Sequence, residues 1–224
     1  MTFSIVAKCT KTGQLGMAVS SSSPAVAARC AHAKAGVGVV ASQNITDPRL
    51  GPKTLLAMAE GHSAPEAVKM IINAAKNADF RQLLAVDARG NAAIYSGSKS
   101  LGTHADFASQ NAAAAGNLLA NPNIPEAMVT AFHQGTGHLG DRLIDAMRAA
   151  LALGGEAGAL HSAGLLLVGE QEWPMADLRC DWTEDCPIEA VAAAWNIYKP
   201  QMDDYIVRAL DPAKAPQYGV PGDE

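Results

Sequence analysis

The sequence predicts an α+β protein folded as a four-layer α-β-β-α sandwich of two mainly antiparallel sheets. Three observations predict it. Strand-length segments come in runs joined by short turns, helical segments come in pairs between those runs, and no Walker loop is present, while the G-x-G-x-x-G at 135–140 (GTGHLG) falls between two helical segments and not after a strand. An open doubly wound sheet is the competing solution, but it expects one helix after each strand.

Residues 2–9 (TFSIVAKC) alternate, 10–13 are turn-like and 15–21 (LGMAVSS) run apolar again, so a β-hairpin opens the domain. Residues 36–43 (GVGVVASQ) read as a third strand, after a small-residue segment, 24–35, whose conformation the pattern leaves open. A helix over 52–60 ends at Gly61, and Ser63 with Glu66 forms a capping box that starts a second, with Pro65 in its first turn. Residues 81–88 and 91–97 flank Arg89 and Gly90 as a hairpin, and 107–115 add a further strand. Helices over 125–133 and 139–153, strands near 164–168 and 177–182, and a helix over 188–198 complete the order. The reading is one domain over 1–198 and a polar, proline-containing tail over 199–224, expected to pack loosely.

Composition narrows the function classes. The chain of 224 residues is 49% hydrophobic and 17% charged, which suits a well-packed globule. Net charge is -5 and the basic residues are scattered singly, so a nucleic-acid or anionic-membrane partner is not expected, whereas a small-molecule substrate or ligand is. No apolar run, that over 165–168 included, comes near the length needed to span a bilayer. No charged segment followed by an apolar one opens the chain, so a cytoplasmic location is expected. Homo-oligomerisation is expected on general frequency.

The four cysteines, Cys9, Cys30, Cys180 and Cys186, form no C-x-x-C pair, and reduced thiols are the expectation. None of the six histidines lies in an H-E-x-x-H or H-x-H arrangement, so neither metal nor other cofactor is expected. There is no G-x-S-x-G elbow, and 20–23 read as a strand end.

Four segments carry a resemblance: the opening MTFSIVA, AGVGVVASQ followed by DPRLGP (35–43 and 47–52), the hairpin RQLLAVDARGNAAIYSG (81–97) and GNLLANP (116–122). In order and spacing over about 1–198 they resemble a bacterial domain-of-unknown-function family assigned to the N-terminal-nucleophile (Ntn) hydrolases. That resemblance implies the four-layer sandwich independently of the strand count, and it implies amide hydrolysis by analogy of fold.

Removal of Met1 would leave Thr2 carrying nucleophile and base together. Its hydroxyl could attack a carbonyl while its own α-amine, with a reference pKa of roughly 8, accepts the proton. A Thr2 still joined to Met1 has no free amine for that role, and Thr is also a common strand residue. Lys34 resembles the lysine that proteasome-type Ntn hydrolases place before this strand, where an ammonium lowers the amine's pKa; it is otherwise a solvated loop lysine. Residues 42–49 leave the third strand and are expected to form the rim near Thr2. There Gln43 and Asn44 offer side-chain amides, Asn44 for an oxyanion, while Asp47 and Arg49 either hold a substrate carboxylate or brace the loop. Asn117 offers a further substrate-contacting amide or forms a turn. The activity expected is hydrolysis of a small amide or peptide-like bond through Thr2. Two other classes stay open: a non-catalytic relative that binds a small metabolite around Asn44, Arg49 and Asn117, and an assembly protein using alanine-rich outer helix faces near 146–152.

Overall fold

In the computed structural model, which describes residues 2–220, strands β1 (Thr2–Lys8) and β2 (Leu15–Ser21) form the opening hairpin. A short helix α1 (Val26–Cys30) and strand β3 (Ala31–Lys34) follow, then β4 (Gly38–Gln43), helices α2 (Leu50–Ala59) and α3 (Ala64–Ala74), and the hairpin β5 (Gln82–Asp87) with β6 (Ala92–Ser96). Next come β7 (Ala105–Ser109), β8 (Ala112–Asn117), α4 (Ile124–Gln134), α5 (Leu139–Ala152), β9 (Ser162–Val168), β10 (Ala176–Cys180), α6 (Pro187–Tyr198) and α7 (Met202–Leu210).

Two antiparallel sheets stack face to face, one of six strands in the order β10-β9-β2-β1-β8-β7 and one of four in the order β3-β4-β5-β6. Strand alternation sorts the side chains into three apolar layers. Phe3, Ile5 and Ala7 of β1 face outward against Met128, Phe132, Leu143 and Trp195 of α4, α5 and α6. Val40, Leu83 and Ala85 face the opposite way, against Leu55, Met58 and Val68 of α2 and α3. Between the sheets lie Val6, Leu15, Met17, Val39, Leu84, Val86 and Val168, plugged at one side by Val26, Ala27 and Cys30 of α1. The four-layer sandwich that the sequence predicts is the architecture found.

The capping box of α3 is present, with the Ser63 side chain accepting from the Glu66 amide. A second one opens α5, where His138 accepts from Gly140 and Asp141 returns a bond to the His138 amide. Asp141 also accepts from Trp195 Nε1 at 2.8 Å and from Lys199 Nζ at 2.9 Å, which ties the end of α6 to the start of α5.

Three readings are corrected. The segment 24–35 holds α1 and β3, and β4 begins only at Gly38, because Gly36, at φ +69, turns the chain between them. The single strand read over 107–115 is a hairpin: β7 and β8 are joined by Gln110 and Asn111, the latter at φ +70. Beyond Pro200 the chain forms α7, whose Met202 is 4% exposed and joins the outer core. Among the described residues no helix is long and apolar enough to cross a membrane, and no cluster of ligating side chains could hold a metal ion. All four cysteines are unpaired.

Candidate functional site

The layer between the sheets changes character along its length. At one end it is aliphatic; at the other, the inward positions are Thr2 and Ser4 of β1, Ser21 of β2, Gln43 of β4, Gln82 of β5, Asn117 of β8 and Ser162 of β9, all buried. Antiparallel pairing makes this possible, because strand starts and strand ends meet at one edge: Thr2 lies opposite Asn117, Gln43 opposite Gln82, and Ser21 opposite Ser162.

Buried amides must find partners, and here they find one another. Ser4 Oγ donates to Gln43 Oε1 at 2.6 Å, and Gln43 Nε2 donates to Gln82 Oε1 at 3.2 Å and to the Ala115 carbonyl at 3.1 Å. Asn117 Nδ2 donates to Gln82 Oε1 at 2.9 Å, and Gln82 Nε2 to Ser96 Oγ and the Gly116 carbonyl, both at 3.1 Å. This network stitches the two sheets together directly beneath Thr2.

A second cluster lies beside it. Thr2 Oγ1 donates to Ser21 Oγ at 3.3 Å, Ser21 and Ser23 share a hydroxyl hydrogen bond of 2.8 Å, and Arg29 donates to Ser23 Oγ. Ser162 Oγ donates to the Ser23 carbonyl at 2.6 Å and accepts from the Val26 amide, fixing the turn that carries these serines. The amide of Ser22 donates to both carboxylate oxygens of Glu156, at 3.3 and 3.2 Å. Burial pushes the Glu156 carboxyl up to about 7, against the opposing pull of the chain's N-terminal charge, the Ser22 hydrogen bonds and His161. His161, whose Nδ1 donates to the Thr183 carbonyl at 2.9 Å, stacks on Trp182 with ring centroids 4.2 Å apart.

The structure brings Thr2, Gln43 and Asn117 to one edge. The side chain of Asn44, a residue at φ +57, is committed elsewhere: Nδ2 donates to the Phe80 carbonyl at 2.6 Å and Oδ1 accepts from the Leu101 amide. Asp47 and Arg49 form a 2.7 Å ion pair on the rim, with the Arg49 side chain 78% exposed. The Arg49 hydrogen bond, chiefly, holds the Asp47 carboxyl down to about 2. Lys34 is exposed and pairs with Gly38, at the other end of β4 from Gln43. Five residues of strand separate those levels, about 16 Å at ~3.3 Å per residue.

Ser4, Ser21, Gln82 and Glu156 escaped the sequence reading. Gln82 and Ser4 were findable as polar residues at inward positions of otherwise apolar strands. Glu156 sits in a loop and carries no such signal. A cleft of about 340 Å³ opens at the far end of β1, lined by Lys8, Lys11, His133 and Arg142 among others. Thr10, Thr136 and Cys9 also line it; there Arg142 Nε and Nη2 are committed to the Phe132 carbonyl and His133 Nε2 to Ser109 Oγ at 2.7 Å, whereas the polar edge is the candidate because it gathers Thr2, Gln43 and Asn117.

A family model described as a family of unknown function (DUF1028) matches residues 2–191. The chain belongs to that family. The DUF1028 match takes in every strand and the polar edge with Thr2, and ends within α6. The chain is also similar to the crystal structure of protein SPO2555 from Silicibacter pomeroyi, described under the same DUF1028 family model. The two share 30% identity with a TM-score of 0.82, over 88% of this chain and 89% of that one. A fainter likeness, to Anbu (ancestral beta-subunit) from Yersinia bercovieri, has 10% identity and a TM-score of 0.40, over 91% and 97% of the two chains; it carries no argument. No curated protein matches the chain.

Proposed function

We propose that this DUF1028 protein is an N-terminal-nucleophile hydrolase that cleaves a small amide or peptide-like bond through Thr2. The observation that carries the reading is the position of Thr2. It opens a strand in the middle of the larger sheet, faces the polar edge between the sheets, is 6% exposed and reaches Ser21 Oγ with its hydroxyl.

In the chemistry this reading assigns, the free α-amine of a processed chain takes the Thr2 hydroxyl proton as Oγ1 attacks the substrate carbonyl carbon. The resulting ammonium returns that proton to the leaving nitrogen as the C–N bond breaks, and water then hydrolyses the Thr2 ester. Ser21 supplies a hydroxyl beside the nucleophile. Gln43 and Asn117 serve chiefly by bracing β1 from below, since their amide donors are bonded within the protein. Lys34 takes no part, because it sits at the opposite end of β4. Asn44 shapes the loop, and Asp47 with Arg49 marks its outer rim, where a substrate carboxylate would compete for the guanidinium.

The test is intact-mass spectrometry of untagged protein before and after exposure to a hydroxyl-reactive β-lactone, with Thr2→Ala as control. The expected result is loss of Met1 and a single adduct that Thr2→Ala abolishes. Retained Met1 with no adduct sinks the hydrolase reading and favours a metabolite-binding role for the same fold.

A further inference from the structure

Glu156 is 4% exposed, yet among the described residues it forms no ion pair, and the hydrogen bonds its carboxylate accepts come from a single residue, Ser22. A buried carboxylate so sparsely partnered carries a large desolvation cost unless a cation faces it. The backbone delivers it deliberately. Gly154 and Gly155, at φ +99 and +59, turn the chain out of α5, and Glu156 then bridges Leu119 while the Ala157 amide donates to the Leu118 carbonyl and the Ala120 amide to the Gly155 carbonyl. Leu119 lies two residues beyond Asn117, the register partner of Thr2. From the other side, Ser22 follows Ser21, the residue that accepts the Thr2 hydroxyl. Glu156 is therefore fixed beside the start of β1 by two independent segments.

We infer that Glu156 is the positioning residue for the α-amine of Thr2 in the processed chain: its carboxylate accepts a hydrogen bond from that amine and stabilises the ammonium formed when the amine takes the hydroxyl proton. This rests on the hydrolase reading for its catalytic meaning but not for the pairing itself. The logic is that of a carboxylate behind a base in an acyl-transfer triad, which holds the base in one orientation and stabilises its protonated form without itself taking the proton. His161 is the other titratable side chain acting on the Glu156 carboxyl, and Arg29 reaches the same turn through Ser23. Burial raises the proton affinity of Glu156, and the chain's N-terminal charge already opposes that rise.

The experiment uses full-length protein released from an N-terminal fusion so that it begins at Thr2, with the Thr2 nitrogen labelled with ¹⁵N. Two quantities are followed against pH: the titration midpoint of the α-amine by NMR, and the rate of β-lactone adduct formation by mass. Replacing the carboxylate by an amide, Glu156→Gln, is expected to lower the amine's midpoint by about one pH unit or more. It is also expected to reduce the limiting rate at alkaline pH on the order of ten-fold. Glu156→Asp is expected to recover part of the midpoint shift, which separates charge from packing. An unchanged midpoint in Glu156→Gln, with the native fold confirmed by circular dichroism, overturns the inference whatever the adduct does. A shifted midpoint in a chain that forms no adduct supports the pairing and removes only the hydrolase reading.

Discussion

The two ends of the layer between the sheets are built from the same strands under the same alternation, yet one is a hydrocarbon core and the other a lattice of amides and hydroxyls. Val6, Met17, Val39 and Val86 fill the first; Ser4, Gln43, Gln82 and Asn117 fill the second at equal burial. Burial therefore does not distinguish scaffold from site in this molecule. The distinction lies in what each end demands of its neighbours: the aliphatic end needs only shape, whereas each amide at the polar end needs a partner at the right distance and angle. Such an edge specifies the relative placement of the two sheets.

Substitutions at the two ends should break in different ways. The largest effect is expected for Leu84→Ala, which empties the aliphatic end and should cost about 2–5 kcal/mol in urea unfolding while leaving adduct formation by the folded fraction unchanged. Next is Glu156→Gln in chain that retains Met1. Because the folded carboxyl binds its proton more tightly than the unfolded one, wild-type stability from this group is full below the unfolded value and lost as pH rises through about 7. The amide should thus stabilise the protein at pH 8, by up to about 3 kcal/mol, and make no difference at pH 4; equal urea midpoints at pH 8 would contradict the burial assigned to Glu156. Gln82→Leu removes the acceptor that the Gln43 and Asn117 amides share, and should cost about 1–3 kcal/mol. Unlike Leu84→Ala, it should also slow adduct formation at Thr2. Smallest is Arg49→Gln on the rim, where solvent screens an exposed ion pair and little stability is at stake. Together with Lys34→Gln it should leave both stability and adduct rate near wild type, and a large loss of rate in Lys34→Gln would return that residue to the mechanism.

Much of the fold was legible because it is written locally. The opening hairpin, the Ser63–Glu66 cap and the Arg89–Gly90 turn each announce themselves within a few residues. The β7–β8 hairpin did not, because its turn is Gln110–Asn111 and the strand after it begins with four alanines, which carry little strand preference. The candidate site was legible only at Thr2 and in the general placement of Gln43 and Asn117. Alternation tells which residues share a face, but which strand ends share an edge depends on pairing across long separations, such as Ser4 with Gln43. Lys34 shows the same limit from the other side: its spacing from Thr2 in sequence hides a strand that carries it to the end of β4 opposite Gln43. Glu156 was invisible because a glycine pair and one isolated bridge, rather than any periodic element, carry it inward.

The single carboxylate of Asp141 gathers the α5 cap, the indole of Trp195 and the ammonium of Lys199, so it works as a polar latch between the end of α6 and the start of α5, beside the apolar packing of the same helix. Burial raises its proton affinity, but those donors outweigh burial and leave it lowered, so the latch holds above the ordinary carboxylate range and opens as acid protonates it in the folded state. It also sets where the chain can be shortened: a truncation after Leu210 keeps the latch, whereas one before Lys199 removes its cation and leaves Asp141 to Trp195 and the cap alone.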